Sequence, residues 1–143
     1  MSTALPAPSE VLPHRPPFLF LDEVTQLEPG VSASGYWVPS TDLAFFAGHF
    51  PGRPTLPGVL MAESIAQLGA YAVLHAGSFA GKLPLFGGLD GARFRRQVLP
   101  GERLDLVIEV TRLSARAGKA RGSASVAGDL ACSCELMFVA VDA

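Results

Sequence analysis

The run Pro57-Gly58-Val59-Leu60-Met61-Ala62-Glu63-Ser64-Ile65-Ala66-Gln67-Leu68-Gly69-Ala70-Tyr71-Ala72-Val73-Leu74-His75-Ala76-Gly77 decides the fold. Proline suits a first helical position, where its missing N–H has no partner to lose. Few β-branched residues follow, and Gly77 supplies a stop. Pro57 to Ala76 therefore predicts one helix about 30 Å long. It is apolar nearly all round, so it must be wrapped on most sides by other structure. Glu63 and Gln67 interrupt that character, and at i, i+4 they share one face. The uncharged stretch Ser64 to Gly81 approaches the length of a membrane span, about 18 residues. Gln67, His75, Ser78 and several glycines lie inside it and Glu63 just before it, so a buried helix explains it better.

The flanking sequence reads as strand. Phe18–Leu27 and Val31–Val38 precede the helix, and Leu85–Phe94, Arg103–Leu113, Lys119–Val126 and Leu130–Val141 follow it. Glu28-Pro29-Gly30, Pro100-Gly101, Ala117-Gly118 and Gly128-Asp129 separate them as turns. No alternation of strand and helix supports a doubly wound parallel sheet. The expected class is α+β, one long buried helix against an antiparallel sheet of about six strands. Residues 1–9, rich in proline and alanine, read as a loose N-terminal arm to a single domain over 10–143. Residues 39–56 read as a long ordered loop around Phe45, Phe46, His49 and Phe50.

Composition sharpens the expectation. In 143 residues, 49% are hydrophobic and 17% charged, and mean hydropathy is +0.34. Long disordered regions need the opposite balance. So much apolar side chain in a small domain calls for a hidden surface, either against partner subunits or around an internal apolar tunnel. The net charge of −2 provides no global basic field for nucleic acid. Yet residues 82–121 hold nine of the eleven basic side chains and four of the thirteen acids. A cationic face there suits an acidic protein partner or a phosphate, although solvated strand ends account for it equally well. Cys132 and Cys134 are too close for an easy disulfide and too few for structural zinc. The chain opens with no charged and apolar leader, so it is expected to be cytoplasmic.

Against this background His49, Glu63 and Gln67 stand out. An ionised carboxylate is costly to bury, and desolvation favours its protonated form, so Glu63 can act as a proton donor. A histidine titrates near neutrality and can accept a proton. An acid and a base of this kind fit the elimination or addition of water. A capping histidine and a helix glutamate paired with an arginine fit the same residue types. Gly58 and Val59 add unpaired N–H groups at the positive end of the helix, placed to hold a developing oxyanion.

The stretch Phe46-Ala47-Gly48-His49-Phe50-Pro51-Gly52-Arg53-Pro54-Thr55-Leu56-Pro57-Gly58-Val59-Leu60, then Glu63-Ser64-Ile65-Ala66-Gln67, resembles the (3R)-hydroxyacyl-[acyl-carrier-protein] dehydratase family, FabZ type. Leu12-Pro13-His14-Arg15, Pro17-Phe18-Leu19, Gly88-Leu89-Asp90-Gly91-Ala92-Arg93-Phe94-Arg95-Arg96, Val98-Leu99-Pro100-Gly101 and Glu135-Leu136-Met137-Phe138 extend the resemblance over about residues 10–141. It implies a hot-dog fold, a long helix wrapped by an antiparallel sheet. It also implies an active site at a dimer interface, His49 of one protomer facing Glu63 of the other, with dimers able to form hexamers. A heterodimer with a related subunit is a further possibility. By the resemblance His49 removes the C2 proton of a 3-hydroxyacyl thioester, Glu63 protonates or orients the departing hydroxyl, Gly58 binds the thioester carbonyl and Gln67 supports Glu63. No metal and no cofactor are implied beyond the phosphopantetheine of acyl carrier protein, and no membrane partner. Phe86 and Phe94 are candidates for the acyl tunnel, Arg93, Arg95 and Arg96 for carrier contact. His14 and Arg15 are read as structural. Glutamate at position 63 resembles the branch that dehydrates without isomerising. Ser64-Ile65 after it, Pro17 in the opening and Gly30-Val31 depart from the family pattern, which leaves fatty-acid and polyketide or polyene pathways both open. A hot-dog thioesterase and a non-catalytic carrier-binding subunit are the rival expectations.

Overall fold

The computed structural model describes residues 4–143. The elements are α1 (Pro8–Val11), β1 (Glu23–Glu28), β2 (Ser32–Trp37), a 3₁₀ turn (Ala44–Ala47), α2 (Gly58–His75), β3 (Lys82–Phe94), β4 (Leu104–Leu113), β5 (Ala117–Val126) and β6 (Asp129–Asp142). The six strands form one antiparallel sheet in the order β1-β2-β4-β5-β6-β3. One long helix on one antiparallel sheet is the α+β hot-dog architecture expected from the sequence. The helix begins one residue later than expected, with Pro57 as its N-cap.

Strand alternation explains the packing. Leu104, Leu106 and Ile108 of β4 and Cys132, Cys134, Leu136 and Phe138 of β6 turn inward, and their intervening neighbours are more exposed. They meet the helix from Met61 to Val73, where only Glu63 escapes full burial. Close approach requires glycine at one point in particular. A Cβ on Gly122 of β5 would lie 2.5 Å from Ile65 Cγ2 and 2.7 Å from the Val107 carbonyl oxygen. The backbone oxygen is fixed by the sheet and cannot move aside. Gly122→Ala is therefore expected to lower stability by about 1–3 kcal/mol, read as an earlier midpoint in thermal or denaturant unfolding.

Two boundaries differ from the sequence expectation. The first strand starts at Glu23, not Phe18. Phe20 and Leu21 are consecutive and both 2% exposed, which a strand with one solvent face cannot provide. This segment crosses the helix instead, as the hydrogen bonds described below show. The hairpin before β6 turns at Ala127-Gly128, one residue earlier than expected, with φ of 49° and 86°. Positive φ at both central residues matches the right-handed twist of the paired strands.

Over residues 4–9 the expected loose arm is docked: Pro8 is buried and the Tyr71 hydroxyl donates to the Pro6 carbonyl at 2.7 Å. Residues 1–3 lie outside the described residues. At the other edge, β3 pairs with β6 alone, and Leu85, Phe86, Leu89 and Phe94 remain exposed. No described helix is long and apolar enough to cross a membrane.

Candidate active site

The long helix carries Glu63 into a cavity of about 150 Å³ lined by His14, Phe18, Glu63, Ala66, Gln67 and apolar residues of β3 and β6. Glu63 Oε2 accepts a hydrogen bond from Gln67 Nε2 at 2.9 Å. The direction of that bond is dictated from behind. Gln67 is 1% exposed, its Oε1 accepts the Phe20 N–H at 2.7 Å, and its Nε2 also donates to the Phe18 carbonyl at 3.2 Å. The amide cannot be reversed without facing donor with donor at Phe20. Ser64 Oγ donates to the Phe20 carbonyl, so one segment is fastened to the helix by two side chains. Burial raises the Glu63 pKa above the ordinary carboxyl value, and the Gln67 N–H opposes part of that rise. With Oε2 committed as an acceptor, the acid proton belongs on Oε1.

His49 is held on a different element, the loop after the 3₁₀ turn. Its Nδ1 lies 2.7 Å from the Thr55 carbonyl and its ring stacks on Phe50 at 4.0 Å. A carbonyl only accepts, so Nδ1 carries the proton and Nε2 keeps a free lone pair. The Thr55 N–H donates back to the His49 carbonyl at 2.8 Å, which closes the loop on itself. His49 is half-buried and does not line the cavity that holds Glu63.

Gly58 opens the helix between them in sequence. The Phe94 ring lies 3.0–3.2 Å from where a Gly58 Cβ would sit, so any side chain there would push the ring outward. The first N–H groups of the helix, on Gly58 and Val59, have no intrahelical acceptor and point along the positive end of the helix dipole.

The remaining expected residues divide. Phe86 lines the Glu63 cavity, and Phe94 instead covers Gly58. Arg96 is bound by Glu102 at 3.0 Å and faces Asp129 at 3.6 Å, whereas Arg93 and Arg95 enter no ion pair among the described residues. Arg15 donates to the Leu12 and His14 carbonyls, as a structural residue does. His14, also expected to be structural, is placed differently: its Nε2 lies 3.8 Å from Glu63 Oε2. The signal available in the sequence was its position between prolines beside a basic residue.

Known proteins resemble the chain over most of its length. The model of the FabA-like domain matches residues 12–135. A 3-hydroxyacyl-[acyl-carrier-protein] dehydratase FabZ of Pelotomaculum thermopropionicum is 50% identical over 129 residues, 90% of this chain and 92% of that protein. A protein of the same name from Chloroflexus aggregans is 48% identical over 132 residues, 92% of each chain. In structure, the dehydratase heterocomplex ApeI:P from Xenorhabdus doucetiae superposes with a TM-score of 0.81 at 18% identity, covering 96% of this chain and 93% of that one. At that identity the match shows the shared fold. Half of all aligned positions are identical to a curated relative across nearly the whole length, and the chain belongs to the FabA-like family, among its FabZ 3-hydroxyacyl-[acyl-carrier-protein] dehydratases.

Proposed function

We propose that the chain dehydrates (3R)-3-hydroxyacyl thioesters on acyl carrier protein to trans-2-enoyl thioesters, in fatty-acid or related polyketide and polyene biosynthesis. The observation that carries this reading is the half-buried Glu63 carboxyl, oriented by Gln67 at the wall of a largely apolar cavity. His49 Nε2 takes the C2 proton. The C–H electrons move into the thioester, and the Gly58 N–H receives the negative charge growing on its carbonyl oxygen. As the C2–C3 double bond forms, the C3–O bond breaks and Glu63 Oε1 gives its proton to the departing hydroxyl, which leaves as water. The cycle ends with an imidazolium and a carboxylate, and one proton returned between them through water restores both. Atoms and charges balance without redox or Lewis-acid help, because the thioester already acidifies the C2 proton.

One chain supplies half of each pair. His49 lies outside the Glu63 cavity, and β3 presents an unpaired sheet edge with exposed apolar side chains. Two copies joined along β3 cover that surface and let His49 of one face Glu63 of the other. A hexamer of three such dimers, or a dimer with a related subunit, uses the same edge. Residues 10–143 form a single domain, at work in the cytoplasm. Phe86 lines the acyl tunnel, and Phe94 closes its mouth over Gly58. The acidic carrier meets Arg93 and Arg95, because Arg96 is already committed to Glu102.

The test is incubation with matched 3-hydroxyacyl and saturated acyl carrier thioesters. Enoyl thioester appears from the first and nothing from the second. Release of free carrier thiol from both would instead identify a thioesterase.

A further inference from the structure

His14 is the second titratable group at the Glu63 cavity; the other lining residues are Phe18, Ala66, Gln67, Ala70, Pro84, Leu85, Phe86 and Phe138, none of which ionises. Its backbone is held rigidly. Pro13, Pro16 and Pro17 bracket it, Leu12 is 2% exposed, and Arg15 Nη1 donates to the carbonyls on both Leu12 and His14. The imidazole thereby reaches Nε2 to 3.8 Å from Glu63 Oε2. That is longer than a hydrogen bond; rotation of the imidazole on its fixed backbone can close the gap, and catalytic contacts are often long before substrate is bound.

The other nitrogen selects the tautomer. His14 Nδ1 is buried with no partner among the described residues. A proton on Nδ1 would leave an orphaned buried N–H and would turn the Nε2 lone pair toward the oxygen lone pairs of Glu63. A proton on Nε2 gives Oε2 a donor and leaves only a bare lone pair on Nδ1, the cheaper arrangement.

We propose that His14, neutral and protonated on Nε2, is a positioning residue for Glu63. Together with Gln67 it gives Oε2 two donors, keeps the acid proton on Oε1, and stabilises the carboxylate left once that proton has gone to the leaving hydroxyl. Burial lowers the His14 pKa, which favours the neutral form. A cationic ring in the same place would draw the proton off Glu63 before substrate could use it. The inference deepens the dehydratase reading and rests on it.

Three variants and one spectrum test it, all in the full-length chain as it assembles. His14→Leu fills the space without a donor, so Glu63 becomes a weaker acid. Its kcat is expected to fall about ten- to hundredfold, the value of a hydrogen bond to a charged group. KM should change little, and the alkaline limb of the pH–rate profile should move up. His14→Gln restores a donor and should recover most of the loss together with the position of that limb. Long-range ¹H–¹⁵N correlation of the wild-type imidazoles should find His14 as the neutral Nε2–H tautomer at pH 7. A His14→Leu enzyme with wild-type kcat and pH profile, or an Nδ1–H tautomer, overturns the proposal. If the leucine variant does not fold, the glutamine variant and the spectrum decide. Glu63→Gln separates the two levels: full activity there sinks the dehydratase assignment of Glu63, whereas loss there with an indifferent His14 sinks only the role of His14.

Discussion

His49→Ala is expected to slow formation of the enoyl thioester by about 10²–10⁴-fold, the usual contribution of a positioned general base. The loss should fall on kcat, because the ring acts on a proton in transit and contributes little to holding the acyl chain. Its geometry fixes which ring nitrogen is free to act. The Thr55 carbonyl accepts a hydrogen bond from Nδ1–H at 2.7 Å, so the lone pair stays on Nε2. Phe50 stacks on the ring at 4.0 Å. Steady-state kinetics on a 3-hydroxyacyl carrier substrate measures the effect. Wild-type rates from the alanine variant would remove His49 from the reaction.

Glu63→Gln is expected to cost a similar factor, about 10²–10⁴-fold, for the complementary reason. The amide preserves shape and still accepts from Gln67, yet it has no acidic proton to give. The pH dependence follows from the direction of the shift. Burial raises the Glu63 pKa, so the protonated, active acid persists to higher pH than an ordinary carboxyl would allow. Activity then falls as pH rises through that raised value. The residual rate of the glutamine variant should lack this alkaline decline, because nothing at position 63 titrates. A profile with the same decline in both proteins would assign it to another group.

The long helix was legible because its limits are local chemistry: Pro57 at one end, Gly77 at the other, and apolar side chains between. The strands after it were legible through alternation, as in Leu104, Leu106 and Ile108. The start of β1 was not, because Phe20 and Leu21 bury consecutively against the helix, and that depends on Gln67 and Ser64 binding their backbone from across the chain. The helix glutamate and the loop histidine announced themselves as polar residues in apolar surroundings. His14 did not, since its interest lies in a contact with Glu63 that only folding creates. Arg96 shows the reverse: one of three similar arginines in the sequence, it alone of the three pairs with Glu102 at 3.0 Å and faces Asp129 at 3.6 Å, a difference that only folding creates.

In the proposed dimer, one reaction centre takes its base from one copy and its acid from another. Co-expression of the His49→Ala and Glu63→Gln chains tests it directly. Neither variant alone should turn over substrate appreciably. In a mixed dimer, one centre combines both defects and the other combines an intact His49 with an intact Glu63. Random pairing should therefore restore about a quarter of wild-type activity, as the two-fold symmetry of such a dimer requires. If mixed dimers form, shown by copurification through a tag on one chain, and activity does not return, base and acid belong to the same copy and the account is wrong.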